Sequence, residues 1–180
     1  MKKSHLGLLV AGMALISTVA HAENTKLCLE AETATDIQPV LKKVTPGTSK
    51  DYSGKGYIHI PWDKNETKGK GQATLKVNVA KPGMYYVFAR TFWENGCGNS
   101  IGLSINEQER MLGEDGSYGK WHWVGSKTRV DLKAGLNTIL IKNRETGIKV
   151  DQIFFCTDSE YEPTKLRPIT HDGATGNAVK

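Results

Sequence analysis

The sequence is poor in the residues that catalysis and metal capture most often recruit. Of 180 residues only five are histidine and three cysteine. Beyond position 22 the histidines are His59, His122 and His171, and no two are spaced as a zinc pair would be. No serine sits in a Gly-x-Ser-x-Gly elbow. Lys and Arg outnumber Asp and Glu by 24 to 19, but the positives are scattered, several of them in the tail (Lys165, Arg167, Lys180). Nucleic acid asks for a clustered basic face and is excluded as a partner. No apolar run is long enough to span a bilayer, and no fixed repeat or helical period runs through the chain.

What catalysis would have to work with is thin. Cys97 lies between two glycines and His122 is available as a base, but no third residue presents itself to orient the pair. The acid pairs Glu107/Glu109 and Glu114/Asp115 lie in or beside polar turns, where a solvated face is the ordinary reading. The expectation is a non-catalytic protein.

The first 22 residues read as a secretory signal peptide. Lys2 and Lys3 precede an apolar run from Leu6 to Val19, and Ala20-His21-Ala22 is a small-x-small cleavage site. The mature protein is expected to be secreted or periplasmic. Without Lys2 and Lys3 the basic residues fall to 22 against 19 acids, a net charge of +3. The remaining length suits one domain, expected over residues 23–158, with residues 159–180 a flexible tail of Pro, Thr, Gly and charge.

Strand patterning dominates that domain. From Met84 to Phe92, Tyr86, Phe88, Arg90 and Phe92 share one face while Tyr85, Val87, Ala89 and Thr91 share the other. Ile101, Leu103 and Ile105 alternate again, as do Ala73, Leu75, Val77 and Val79. Two stretches of the form strand, Lys-x-Gly turn, strand (around Lys81-Pro82-Gly83 and Lys133-Ala134-Gly135) read as hairpins. About nine short strands and frequent glycine turns predict an all-β antiparallel sandwich.

Function is sought in the loops such a sandwich holds. Trp93-Glu94-Asn95-Gly96-Cys97-Gly98-Asn99 mixes a large aromatic with polar groups, and Trp121 and Trp123 fall on one face of a short strand. Indole faces pack on pyranose C–H groups while amides and carboxylates take hydroxyls, so this composition suits a sugar site. Tryptophans in a sandwich are also its ordinary core, and at least one of these is expected there. On the first strand Glu30 and Glu32 share a face; a solvated face explains them, and so does a hard cation such as calcium.

These segments together resemble carbohydrate-binding modules of families six and thirty-five. The resemblance rests on Leu29-Glu-Ala-Glu, Ser53-Gly-Lys-Gly-Tyr57-Ile, Pro82-Gly83-x-Tyr85-x-Val, Trp121-His-Trp123, Leu132-x-x-Gly135 and Gly147-Ile-Lys-Val-Asp151-Gln-Ile. It covers nearly all of Leu27 to Asp158 and implies a jelly-roll β-sandwich that binds sugar and holds a structural calcium. It implies Glu30, Glu32 and Asp151, with carbonyls near Ser53, as the calcium set. It implies Trp121 as aromatic platform and Tyr57 as opposing ring. Where the family commonly has an asparagine two residues before the closing aspartate, this chain has Lys149, which with Arg144 and Asn143 would favour an acidic sugar. Trp93, Trp123, Glu94, Asn95 and Asn99 complete the expected ligand set. A rival reading uses the same sandwich to contact another secreted or envelope protein, with Trp93 as anchor.

Three cysteines leave one odd. In this architecture the first and last strands are neighbours, and if paired residue numbers sum to 184, Cys28 faces Cys156. A bridge there would stabilise by up to roughly 4–5 kcal/mol in the chain-entropy model. Cys97 would then be free, buried or paired to another chain.

Overall fold

A computed structural model of the chain describes residues 24–62, 69–164 and 166. The expected signal peptide, residues 1–22, lies outside the described residues. Among the described residues eleven strands run in order: β1 (Lys26–Glu30), β2 (Lys42–Val44), β3 (Tyr57–Ile60), β4 (Gln72–Val79), β5 (Gly83–Trp93), β6 (Ser100–Ile105), β7 (Gln108–Gly113), β8 (Trp121–Val124), β9 (Arg129–Leu132), β10 (Gly135–Lys142) and β11 (Ile148–Cys156). Among the described residues the only helix is a 3-10 turn at Ala31–Thr33.

Alternation dictates the layers. One sheet takes seven strands in the order β2-β3-β11-β5-β8, with β1 on β11 and β9 on β5; the other takes four, β4-β10-β6-β7. The pairings within both sheets are antiparallel. Inward residues of both sheets, among them Leu27, Ile58, Val87, Leu103, Ile139 and Phe155, are shut off from water. Each such side chain stabilises by roughly 1.5–3 kcal/mol. This is the expected jelly-roll sandwich.

The connections differ from expectation. Both Lys-x-Gly turns carry the chain across the sandwich: β4 lies in the smaller sheet and β5 in the larger, β9 in the larger and β10 in the smaller. The stretch from β5 to β6 crosses too. Alternation states which side of a strand is apolar but not which sheet the next strand joins. A true hairpin is β6–β7, where Asn106 and Glu107 take φ 47° and 71°, the left-handed pair that a two-residue turn demands.

The register of β1 on β11 corrects the disulfide expectation. Paired numbers sum to 182: Cys28 faces Phe154 and Lys26 faces Cys156. Cys28, Cys97 and Cys156 are all free thiols. Burying Leu27 and Leu29 fixes the register only to within an even slip, so the sequence pattern could not separate 182 from 184. Diagonal neighbours lie too far apart for a bridge without backbone movement.

Nor does the packed unit stop at residue 158. Tyr161 lies against Phe154 with ring centroids 5.5 Å apart, the Lys26 ammonium sits 3.8 Å over the Tyr161 ring, and Pro163 is buried. This segment covers a second apolar cluster of Phe88, Phe154 and Cys156 on the outer face of the larger sheet.

Candidate functional site

The site is built on that outer face, where β1, β3, β5, β8 and β11 present one row of side chains each. Along β5 the row is Tyr86, Phe88, Arg90 and Phe92; across β8 it is Trp121 and Trp123, opposite Phe92 and Arg90. On β11 a bulge interrupts the alternation: Val150 pairs with Thr91 but Gln152 with Arg90, leaving Asp151 as the extra residue. The bulge re-aims Asp151 toward the β2–β3 loop. Its carboxylate is fully buried, accepts hydrogen bonds from the Ser53 N–H (3.0 and 3.1 Å) and pairs with Arg90 Nη1 at 2.6 Å. Burial pushes the Asp151 carboxyl up to about 6, and the nearby Glu30 charge adds to it, although Arg90 and the Ser53 N–H pull the other way.

Glu30 and Glu32 converge on the same loop. Glu30 Oε1 accepts from the Ser53 hydroxyl (2.6 Å) and Gln152 Nε2 (3.1 Å), and Glu32 Oε1 accepts from the Lys55 N–H (2.8 Å). Gly54 has φ +60°, and a Cβ there would overlap the Glu32 carboxylate, so glycine is needed on both counts. Glu32 Oε2 is shut off from solvent with no hydrogen-bond partner. No three His, Cys, Asp or Glu side chains stand together as a ready metal cage among the described residues. The oxygen-rich donor set, crowded with negative charge and holding an orphaned carboxylate oxygen, nevertheless fits a hard cation in type.

Arg90 joins this nest to an aromatic box. Both of its terminal nitrogens donate to the Asp51 carbonyl at 3.1 Å, and the guanidinium carbon lies 5.3 Å from the Trp121 ring centroid. Trp121 meets Tyr57 and Phe92 edge-on at 5.6 Å each, with Tyr52 at 6.3 Å. Beside the box stand His59, Glu94 and Lys149: Glu94 Oε1 is 3.6 Å from His59 Nε2 and 3.8 Å from Lys149 Nζ, and Lys149 lies 4.4 Å from the centre of the Phe92 ring. Burial holds the His59 imidazole below its ordinary range; Lys149 and Lys42 lower it further while Glu94 opposes. The rim is fixed by the backbone, with Glu94 N–H donating to the Gly147 carbonyl and Gly147 N–H to Ile60. A pocket of about 510 Å³ opens between Lys50, Asp51, Arg90, Phe92, Lys120 and Trp121.

The expected ligand residues divide accordingly. Tyr57, Trp121, Glu94 and Lys149 come together. Trp93 does not join them: it is fully buried, its indole N–H donating to Asp115 Oδ1 at 3.2 Å, so it is the core tryptophan and neither stacks on sugar nor anchors a partner. Asn143 is likewise buried. Asn99 is committed to the loop, its amide donating to the Asp115 carbonyl and its N–H to Glu145. Arg144 pairs with Ser100, Glu114 and Glu145, none of them a partner of Lys149. Asn95 is exposed and caps its own turn through the Cys97 N–H. Trp123 lies further down the sheet against Phe154, at 6.0 Å. His122 Nε2 lies 3.1 Å from Asp115 Oδ2, and its Nδ1 faces the Lys120 carbonyl at 3.2 Å.

Arg90, Tyr52, Phe92, His59, Trp62 and Tyr118 escape a reading from sequence. Arg90 alone carried a signal, a charge in the middle of an aromatic strand face. Trp62 is 46% exposed and packs beside Gly147 and Glu94, and Tyr118 is 44% exposed with its hydroxyl beside Gly96.

No protein-family model matches the chain, and no curated protein sequence is significantly similar to it. Solved structures do share its fold. The carbohydrate-binding module of Cellvibrio mixtus lichenase 5A in complex with cellotriose aligns at TM-score 0.56 and 18% identity, over 73% of this chain and 96% of that one. A family 35 carbohydrate-binding module from Clostridium thermocellum aligns at 0.53 and 17%, over 73% and 97%. The Podospora anserina GH26-CBM35 β-(1,4)-mannanase aligns at 0.55 and 22%, over 80% of this chain but only 29% of the enzyme. The chain has the jelly-roll fold of carbohydrate-binding modules. At these identities the likeness is one of fold, shared by family 6 and family 35 alike.

Proposed function

We propose that this protein is a secreted or periplasmic, non-catalytic carbohydrate-binding module that takes a poly- or oligosaccharide at the Trp121 rim. The observation that carries the reading is the aromatic box of Tyr52, Tyr57, Phe92 and Trp121 set directly beside Arg90, His59, Glu94 and Lys149. Ring faces and edges suit pyranose C–H groups, and the charged neighbours supply both donors and acceptors for hydroxyls. Glu94 already balances the Lys149 ammonium, so an acidic sugar gains less there than the lysine charge alone suggests. The fold it shares with sugar-binding modules supports the same reading.

We place a structural calcium with Glu30, Glu32 and Asp151. When bound it would neutralise carboxylates that now lean on Arg90, on backbone N–H groups and on the Ser53 and Gln152 side chains, and so brace the β2–β3 loop behind Tyr57. A glycan array run with calcium and again with chelator tests both parts: selective retention of particular glycans, weakened by chelator, is expected, and no retention in either condition would refute the sugar reading. A second reading, contact with another secreted or envelope protein, is favoured by exposed Trp62 and Tyr118 flanking the Glu94–Gly98 loop. Trp62→Ala weakening a protein partner but no glycan would support it.

A further inference from the structure

Of the nine asparagines in the sequence only Asn95 is followed by glycine, in the loop that leaves β5 beside Glu94. The backbone nitrogen of the next residue is a nucleophile within reach of an asparagine side chain, because its attack on Cγ closes a five-membered ring. A side chain on that next residue crowds the approach, and glycine has none.

The fold holds Asn95 in the matching conformation. It is exposed, and its Oδ1 accepts from the Cys97 N–H at 2.9 Å, the local bond by which asparagine shapes a turn. That contact lays the side chain along the chain over the Gly96 peptide. It also sets a backbone donor on the oxygen where negative charge gathers when Cγ is attacked. The amide nitrogens of Asn99, Asn106 and Asn137, the groups that would have to leave, instead donate to protein acceptors, and Asn143 is buried. Asp115-Gly116 has the same spacing but no amide to lose, and its carboxylate is taken by Trp93 and the Ser117 N–H. Gly96 is not in the left-handed region, and a Cβ there would stand 3.3 Å from the hydroxyl of Tyr118, an exposed side chain able to yield. Alanine therefore fits at 96, and Gly96→Ala is expected to fold.

We propose that Asn95 is a self-modification site, converted in the folded protein to aspartate and isoaspartate. The Gly96 nitrogen gives its proton to solvent and bonds to Asn95 Cγ. The Cγ–Nδ2 bond breaks, and Nδ2 takes up a proton and leaves as ammonia, with a cyclic imide left behind. Water opens the imide at either carbonyl; one water is consumed, one ammonia is released, and nothing is oxidised or reduced. The new carboxylate stands next in sequence to Glu94, which already faces His59 and Lys149, so the charged end of the rim gains a negative charge. This chemistry does not depend on what the rim binds.

The test is peptide mass mapping of the full chain during incubation in warm, mildly alkaline buffer, native and in urea. In the native protein Asn95 is expected to convert at least tenfold faster than any other asparagine among the described residues, and no more slowly than in urea. Gly96→Ala should slow its conversion at least tenfold while its thermal melt stays that of the parent. A native Asn95 that converts no faster than the other asparagines, or more slowly than in urea, overturns the site. So does a Gly96→Ala protein that converts at the parent rate. If Gly96→Ala does not fold, the native and urea rates of the parent decide alone.

Discussion

Arg90 and Asp151 form the junction of the molecule: a guanidinium nitrogen 2.6 Å from a fully buried carboxylate, with the same guanidinium lying against Trp121. The pair bridges the acid nest and the aromatic box. Removing the arginine leaves Asp151 buried among Glu30 and the loop with its main cation gone. Arg90→Met is expected to destabilise by about 3–5 kcal/mol, the usual consequence of stranding one member of a buried pair. Urea unfolding measures it, and a loss below about 1 kcal/mol would show that Asp151 does not depend on Arg90.

Calcium should act through stability before it acts on sugar. Anything that binds only the folded state stabilises by about 2.7 kcal/mol at a hundredfold excess over its Kd. Thermal melts with calcium and with chelator should separate accordingly, and Glu32→Gln, which removes charge at the orphaned oxygen, should close the gap. Identical melts in both conditions would remove the ion from the account.

His59 sets a pH dependence at the rim. Its folded-state pKa lies below the ordinary value of about 6.5, chiefly through burial. The stability that its neutral form contributes is present above that ordinary value and is lost as pH falls through the lower, folded one. The parent should therefore lose melting temperature relative to His59→Gln between about pH 7.5 and pH 5. Parallel curves would contradict the assignment.

The thiols should sort by position. Cys97 is exposed, whereas burial pushes the Cys28 and Cys156 thiols up, with Glu30 and Asp151 adding to the shift at Cys28. Iodoacetamide at neutral pH should label Cys97 in the native protein and reach the other two only after unfolding, as read by peptide mass. A Cys28–Cys156 crosslinked peptide would reinstate the bridge that the register argues against.

How much of this could be read from residues alone follows from what each pattern encodes. Period-two alternation in Tyr85–Thr91, Ile101–Ile105 and Ala73–Val79 has one cheap solution, two sheets face to face, and the sandwich was legible from it. The same alternation is blind to even register slips, hence the misplaced cysteine pair. It is equally blind to which sheet a strand joins, hence two hairpins that are crossings. Trp121, Tyr57, Glu94 and Lys149 stood in recognisable segments and do meet. Trp93 misled because its loop neighbours are polar while its own alternation, continuous with Thr91, points inward. Arg90 and His59 come from separate strands and owe their roles to the β11 bulge and the packing of neighbours, which no local pattern announces.

Trp93 offers a sharp contrast with Trp121. As core, Trp93→Ala should lower stability by about 3–5 kcal/mol, in line with other buried tryptophan truncations. Its smaller replacement Trp93→Phe, if it folds, should leave glycan affinity intact, as calorimetry on a bound glycan would show. Lost affinity in a folded Trp93→Phe would return that residue to the binding surface.

The most direct measurement of the central claim is intrinsic tryptophan fluorescence during titration with a glycan retained on the array, for the parent and for Trp121→Ala. A saturable shift or quench is expected in the parent, and its disappearance, with at least a tenfold loss of affinity, in Trp121→Ala. An unchanged titration in a folded Trp121→Ala protein would contradict the placing of sugar at this rim.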